Sequence, residues 1–536
     1  MFFNKKSCKN IWSYQNISLP LHRQTKIITT FNFNFIMVFS DFQTRIFDEV
    51  SNTNNSIIIN AVAGSGKTTT IVEALKRAKN SGKTIFLAFN KSIVAELSNR
   101  LASNVECKTL HSLGLSAFYS MRIKIKVNND KWMSEIRNVA STLSSIFNEN
   151  DKEYYAFCGN IKSLFDLARL NLLHNGDVKV IEKLAEYHNI ETLGDEAEVV
   201  NTLLQRAYDI NERGLNVIDF TDMIVLPTQN SLVKRGLTKY NTIAVDEAQD
   251  MSAATQALMF ASLAKNGRFI AVGDKRQAIN GFAGAMCDSF AKLAEKADVE
   301  LPLSVNYRCG SDIIKLAQSV VPYIESHEGA IKGNVEDVYD MTEVKHGDMV
   351  ICRKSAPLVN LCLKMLASGR NAYIKGNDIC EGLLNLIRKM KANDIEDLFI
   401  KLEEEEERKR QQLLKYGIKA NAISNCPSIQ EFADKIKCLR YIAESCSTLD
   451  EVQIKLKKLF TECQSGNCVT LSTIHKSKGL EADNVWIISP ECLPMTWDGQ
   501  LDWQLEQENN LKYVAITRAK KNLYFVNCDA EDINVG

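Results

Sequence analysis

Short apolar runs alternate along the chain with longer stretches of helical periodicity. "SIIIN" (56–60), "TIFLAF" (84–89), "TIAVDE" (242–247) and "RFIAVGD" (268–274) are such runs, each bounded by turn residues. Runs without polar alternation predict strands buried on both faces, the condition of a parallel sheet covered by helices. A second set follows: "DMVICR" (348–353), "CVTLST" (468–473), "NVWIIS" (484–489) and "NLYFVN" (522–527). The pattern predicts two α/β cores in tandem. Two stretches lack strand runs and are rich in helix formers, and each predicts a mainly helical insertion. The layout is then a first core at 37–115 and 216–297 with its insertion at 116–215, and a second core at 298–385 and 465–536 with a shorter insertion at 386–464. Within the second insertion, "KLEEEEERKRQQ" (401–412) places Glu404, Glu405 and Glu406 four residues before Arg408, Lys409 and Arg410. That order supports a solvated helix and is assigned no chemistry. Residues 1–36 carry five Lys/Arg and no Asp or Glu, and helical patterning begins after Met37. They are read as a disordered tail or an upstream extension, with a transit peptide as the alternative.

Composition narrows the partners. The chain has 536 residues, with Lys+Arg and Asp+Glu at 65 each. A globally basic surface is excluded, so any path for a polyanion is a local lining. No apolar run approaches the ~20 residues that span a bilayer, so no membrane partner is expected. The 15 cysteines form no C-x-x-C pair. They predict free thiols in a reducing, intracellular compartment, with an iron–sulfur or zinc site as the alternative.

The chemistry starts after the first strand. "AVAGSGKTTT" (61–70) holds Ala63, Gly64, Ser65, Gly66, Lys67, Thr68 and Thr69. The strict phosphate-loop pattern has glycine where Ala61 stands, but its core, G-x-G-K-T, is intact. The N–H groups of such a loop converge on phosphate oxygens at a helix N-terminus. Lys67 is placed to reach the β- and γ-phosphates, and the Thr68 hydroxyl to ligate Mg²⁺. A second acidic strand end is required, and "TIAVDEAQD" (242–250) supplies it. Asp246 is the metal-holding acid, and Glu247 is placed to orient and deprotonate an attacking water. That pair points to hydrolysis of ATP.

The ordered series "FQTRIF", "AGSGKTTT", "LAFNKS", "TLHSLG", "VDEAQD", "GDKRQAINGFAGA", "NYRCG", "LSTIHKSKGLEADNV" and "YVAITRAKK" resembles superfamily 1A DNA helicases, the UvrD/Rep/PcrA group. The wording "AFNK…TLHSLG…TIHKSKGLE" is most similar to the F-box DNA helicase branch, with no F-box segment evident. The resemblance implies two RecA-like P-loop cores. It implies that Gln43 reads the adenine edge, Tyr307 stacks on adenine and Glu481 meets the ribose. Gln277 is implied as a γ-phosphate sensor, and Arg308 and Arg518 as the arginines that neutralise the transferring phosphoryl group. Arginines delivered from one core to a phosphate loop on the other would make the cleft close on ATP, turning hydrolysis into motion.

Single strands are held by a cationic groove with aromatic platforms. Phe89, Asn90, Lys91, His111, Phe282 and His475 fall at motifs that line the strand channel in the family, and Lys476 and Lys478 are further candidates for phosphates. Asn280 and Ala283 depart from the family's tyrosine and arginine, and Thr69 stands where some relatives carry an arginine. These departures predict looser coupling between the two sites.

The expected activity is an ATP-dependent, Mg²⁺-requiring 3′→5′ helicase or translocase acting on single-stranded DNA and duplex junctions. The polarity comes from the resemblance alone. The alternatives are a single-stranded-DNA-stimulated ATPase that strips proteins from DNA, an RNA helicase, and an ATP-gated binding protein.

Overall fold

The computed structural model describes residues 39–535 apart from 79–81, 144–151, 175, 189, 191–194, 214, 280–288, 416–422, 425, 462–466 and 498–499. Residues 1–36, and with them the tail expectation, lie outside the described residues, as do Asn280, Phe282 and Ala283.

The first sheet has six parallel strands: β1 (Ile57–Ala61), β2 (Thr84–Ala88), β3 (Val105–Thr109), β4 (Tyr240–Val245), β5 (Leu263–Gly273) and β6 (Val299–Leu303). Their spatial order is β3-β2-β4-β5-β1-β6. Ile57, Ile58 and Ile59 are fully buried because helices cover both faces. With every strand parallel, all the C-terminal ends lie along one edge. The phosphate loop follows β1, Phe89 follows β2, Asp246 follows β4 and Asp274 follows β5. This is where ligands bind in open α/β sheets.

The second sheet repeats the plan with β7 (Asn334–Val338), β8 (Met349–Cys352), β9 (Ala372–Lys375), β10 (Val469–Thr473), β11 (Ala482–Ile488) and β12 (Ala519–Val526). Its order is β7-β12-β11-β8-β10-β9, again all parallel. The two sheets are the tandem α/β cores that the apolar runs predict, with the RecA-like plan that the resemblance implies.

Four strands of these two sheets were not legible in those runs: β3, β6, β7 and β9. All four are sheet edges. An edge strand is buried less completely, so it alternates with polar residues, as in "VECKT" and "NVEDV", and reads as loop. β6 carries Pro302, which an edge tolerates. It also corrects a boundary: the expected second core begins at 298, yet Val299–Leu303 pairs with β1 and closes the first sheet.

Between the strands of the first core lie helices Met133–Leu143, Lys152–Leu170, Val178–Tyr187 and Glu196–Arg213. They enclose their own apolar cluster around Trp132, Phe157 and Phe165. A buried ionic knot ties it to the first core: Arg169 donates to Asp219 and Asp222, and Lys131 to Asp222. Helices Asn377–Met390, Ile395–Lys415, Pro427–Ala443 and Leu449–Leu459 behave differently. Leu384, Leu398, Leu439 and Leu456 share one cluster with Val350 and Leu471 of the second sheet. No helix among the described residues is long and apolar enough to cross a membrane, and every cysteine among them is a free thiol.

Candidate nucleotide site between the cores

The phosphate loop is shaped by two glycines at positive φ, Gly64 at 65° and Gly66 at 76°. Helix Lys67–Arg77 starts directly on Gly66, which has no side chain to cap it. Its first N–H groups therefore face a cavity of about 870 Å³ lined by both cores. Gly64 also permits a close approach: a Cβ there would lie 2.6 Å from Asn306 Nδ2 and 2.7 Å from Arg308 Cβ. Asn306 Nδ2 donates to the Ala63 carbonyl at 2.6 Å, and the Tyr307 N–H to the Gly64 carbonyl at 2.9 Å. The loop of one core is thus seated on "NYR". Ala63 anchors this seat instead of facing the cavity as expected, because its N–H is donated to the Tyr513 hydroxyl at 2.8 Å.

The acids at the ends of β4 and β5 converge beneath Lys67. Thr68 Oγ1 donates to Asp246. Lys67 Nζ lies 3.9 Å from Glu247 Oε1. Burial, followed by the neighbouring Glu247, pushes the Asp246 carboxyl up to about 6. Burial also works against the Glu247 carboxylate, but Lys67 and Lys478 outweigh it and hold the group below its ordinary value. The pair therefore divides its roles: Glu247 stays an anion, and Asp246 is the acid most in need of a cation. Glu247 adopts φ 53°, an uncommon left-handed conformation for a side-chain-bearing residue. Such strain clusters at functional sites.

A hydrogen-bonded chain leads onward. Gln249 Nε2 donates to Glu247 Oε2 at 2.5 Å, and Gln249 Oε1 accepts the Asp274 N–H at 3.0 Å. Gln277 Nε2 donates to Asp274 Oδ2 at 2.7 Å, so the predicted sensor amide is already oriented at the cavity wall. Burial raises the Asp274 carboxyl. Tyr513, from the second core, donates to the same Asp274 oxygen at 3.4 Å. Lys478, expected to be available to nucleic acid, instead ties the cores together, donating to Asp250 Oδ2 at 2.7 Å and to the Gln277 carbonyl at 2.8 Å. Gln249, Asp250, Asp274 and Tyr513 were missed as site residues. They lie inside the quoted motifs, so their position was legible and their partners were not.

Arg308 and Arg518 reach the same cavity from the second core. Arg308 Nε pairs with Glu481 Oε2 at 2.6 Å, and Lys520 with Glu481 Oε1 at 2.7 Å, so Glu481 is held by two cations. Arg518 is 1% exposed and donates to the carbonyls of Val514 and Leu480, both at 3.0 Å. Burial, and then Arg308, lower its guanidinium to about 10, so it stays charged at neutral pH. Thr69 accepts from Arg100 at 3.0 Å. Gln43 is buried beside the loop, where its Nε2 donates to Thr70 at 3.0 Å. Tyr307 is 40% exposed.

The residues expected to meet nucleic acid divide into groups. Phe89, 48% exposed, Asn90 and His475 border this cavity itself. Asn90 Oδ1 caps the helix that Lys91 begins, accepting the Ile93 N–H at 3.0 Å, while Lys91 is exposed. Burial, with Arg353 and Lys476 nearby, lowers the His475 imidazole to about 3, so it is neutral. His111 stands apart, edge-on to Phe220 with ring centroids 6.0 Å apart. Phe220 is 52% exposed and was not anticipated. It opens a helix whose N-cap, Asp219, is gripped by Arg169.

Two known families match the chain. The UvrD/REP helicase N-terminal domain family matches residues 43–298, and the UvrD-like helicase C-terminal domain family matches residues 389–530. The chain belongs to the UvrD-like helicase family. This UvrD-like helicase is 23% identical over 499 residues to a probable DNA helicase of Mycoplasma pneumoniae, covering 90% of this chain and 82% of that protein. It is 23% identical over 510 residues to F-box DNA helicase protein 1 of Schizosaccharomyces pombe, covering 88% and 55%. It is 24% identical over 537 residues to F-box DNA helicase 1 of Gallus gallus, covering 90% and 48%. The chain thus spans about half the length of these two F-box helicases.

Proposed function

We propose that this UvrD-like helicase hydrolyses ATP between its cores and uses the cycle to move 3′→5′ along single-stranded DNA, separating strands at duplex junctions. One observation carries the reading. Lys67, Thr68, Asp246 and Glu247 from one core and Arg308 and Arg518 from the other line a single cavity. A phosphate loop alone binds nucleotide; acids on one side and arginines on the other suit a phosphoryl group that gains negative charge as it transfers.

The residues then take these roles. The N–H groups of Gly64 to Thr69 and the Lys67 ammonium hold the β- and γ-phosphates. Thr68 and Asp246 would hold Mg²⁺, which would neutralise charge on the phosphates. The site suits that ion: hydroxyl and carboxylate already meet, and Mg²⁺ takes few protein ligands beside substrate phosphates. Glu247, kept ionised by Lys67, accepts the proton of the attacking water. Gln277 senses the γ-phosphate, while Arg308 and Arg518 stabilise the charge on it. Gln43, Tyr307 and Glu481 hold the nucleoside. Lys478, bound to the Gln277 carbonyl, passes the state of that turn to the second core. Phe89, Asn90, Lys91, His111, Phe282 and His475 serve the strand. A motor of this class works in DNA repair, replication or recombination.

The test is ATP hydrolysis without nucleic acid, with single-stranded DNA and with single-stranded RNA, followed by displacement from 3′- and 5′-tailed duplexes. Stimulation by DNA and displacement from 3′-tailed duplexes are expected. No stimulation by DNA refutes the reading; stimulation without displacement leaves a protein-stripping ATPase; stronger stimulation by RNA reassigns the strand.

A further inference from the structure

Tyr307 does not stand alone. It follows the short strand Val305–Asn306, which pairs in parallel with Glu325–Ser326 in the register Val305 to Glu325 and Asn306 to Ser326. The next residues in that register are Tyr307 and His327. The His327 N–H is donated to the Asn306 carbonyl at 3.3 Å, which continues the ladder by one step. The two rings then stack, with centroids 5.4 Å apart and planes inclined by 24°. The imidazole is held by its own turn, its Nδ1 accepting the Gly329 N–H at 3.0 Å, while the His327 main-chain carbonyl accepts the Ala330 N–H at 3.0 Å. On the other side the Tyr307 backbone is bound to the phosphate loop through the Gly64 carbonyl at 2.9 Å. The tyrosine is therefore pinned by its main chain to the loop and backed at its ring by His327, yet remains 40% exposed.

We propose that His327 is a positioning residue for nucleotide binding: it stacks behind Tyr307 and holds that ring as a preformed platform for the adenine. This rests on the reading of Tyr307 as the adenine-stacking residue. The physical reason is conformational entropy. A half-exposed tyrosine ring is free to leave its rotamer, and a base that stacks on it must first immobilise it. A second aromatic ring behind the first meets that cost during folding. The contacts of His327 are with the Tyr307 ring, the Asn306 carbonyl and its own turn, so its effect belongs to the base and not to the hydrolytic step.

The experiment compares Tyr307→Ala, His327→Ala and His327→Phe in the full chain with saturating single-stranded DNA. It measures KM and kcat for ATP, and inhibition by inorganic tripolyphosphate, which has no base. His327→Ala is expected to raise KM for ATP roughly three- to tenfold, the range one aromatic pair supplies. The turnover number at saturating ATP and the tripolyphosphate inhibition constant should hold, and His327→Phe should restore KM. If Tyr307→Ala raises KM and His327→Ala does not, the inference falls and the reading of Tyr307 stands. If neither raises KM, both fall. A parallel loss of tripolyphosphate binding in His327→Ala, without rescue by phenylalanine, would mean that the residue only holds the loop together, and would also overturn the inference.

Discussion

Glu247 and Asp246 are adjacent in the chain yet titrate in opposite directions. Lys67 lies 3.9 Å from Glu247, while Asp246 is 5% exposed with another carboxylate beside it. Neutralising Glu247 should leave nucleotide binding in place and remove the base. Glu247→Gln is expected to lower kcat by about 10²–10⁴-fold, the usual worth of a general base, with ATP affinity kept. Steady-state hydrolysis beside a fluorescent-nucleotide titration checks this, and undiminished turnover removes Glu247 from its role. A second residue tests burial away from the site. Burial lowers the His188 imidazole to about 4, and its Nε2 has no hydrogen-bond partner among the described residues. As the unfolded chain binds the proton first, stability should fall as pH drops from about 6.5 towards 4. His188→Phe should flatten that part of the profile by about 1–2 kcal/mol, a range reduced for the partial exposure of the ring. Thermal melts of both proteins across the window decide it; parallel profiles would mean that the histidine is solvated.

At the scale of elements, the phosphate loop is built as much by what it leans on as by its own sequence. Gly64 takes a positive φ and also leaves room for Asn306 and Arg308 of "NYR". A left-handed residue with a side chain costs roughly 1–2 kcal/mol, and here the new methyl also strikes a packed neighbour. Gly64→Ala is expected to weaken ATP binding tenfold or more in a fluorescent-nucleotide titration. A variant that binds as tightly as the parent would show that the two segments are free to separate. Strands divide in legibility on the same physical ground. The interior strands of the first sheet appear as apolar runs, since helices cover both faces. Every edge strand, β3, β6, β7 and β9, does not, since solvent on one side admits Glu106, Glu300 or Glu336. Helices that touch at glycines are equally silent: a Cβ on Gly114 would meet the Met223 carbonyl oxygen at 1.8 Å. That close crossing brings the helices carrying His111 and Phe220 together.

Across the whole molecule, the cores meet beyond the cavity they share. Val62, Ala63 and Ile279 of the first core share one apolar cluster with Val514 and Ile516 of the second. Arg276 pairs with Glu506 at 2.8 Å. Tyr187, from the helices inserted in the first core, stacks on Trp503 with centroids 4.2 Å apart, and Gln507 donates to its hydroxyl at 3.1 Å. This contact joins parts of the chain more than 300 residues apart and is placed to resist separation of the cores. A double-mutant cycle with Tyr187→Ala and Trp503→Ala, read by chemical denaturation, is expected to give a coupling of about 0.5–1.5 kcal/mol. Additive single mutants would make the stack incidental. The positions of Lys67, Asp246, Glu247 and Gln277 were readable in advance: each follows an interior strand, and open α/β sheets bind ligands at such ends. That much is local, because hydrophobic burial on both faces and the glycines of a phosphate loop leave their marks within a few residues of sequence. The tertiary structure alone decided that Tyr513 holds the loop, that Lys478 is committed to Asp250 and Gln277, that His327 backs Tyr307 and that Tyr187 meets Trp503. Each of these joins segments that no period or spacing relates, and a pairing across the fold is selected by shape and charge only once the sheets have formed.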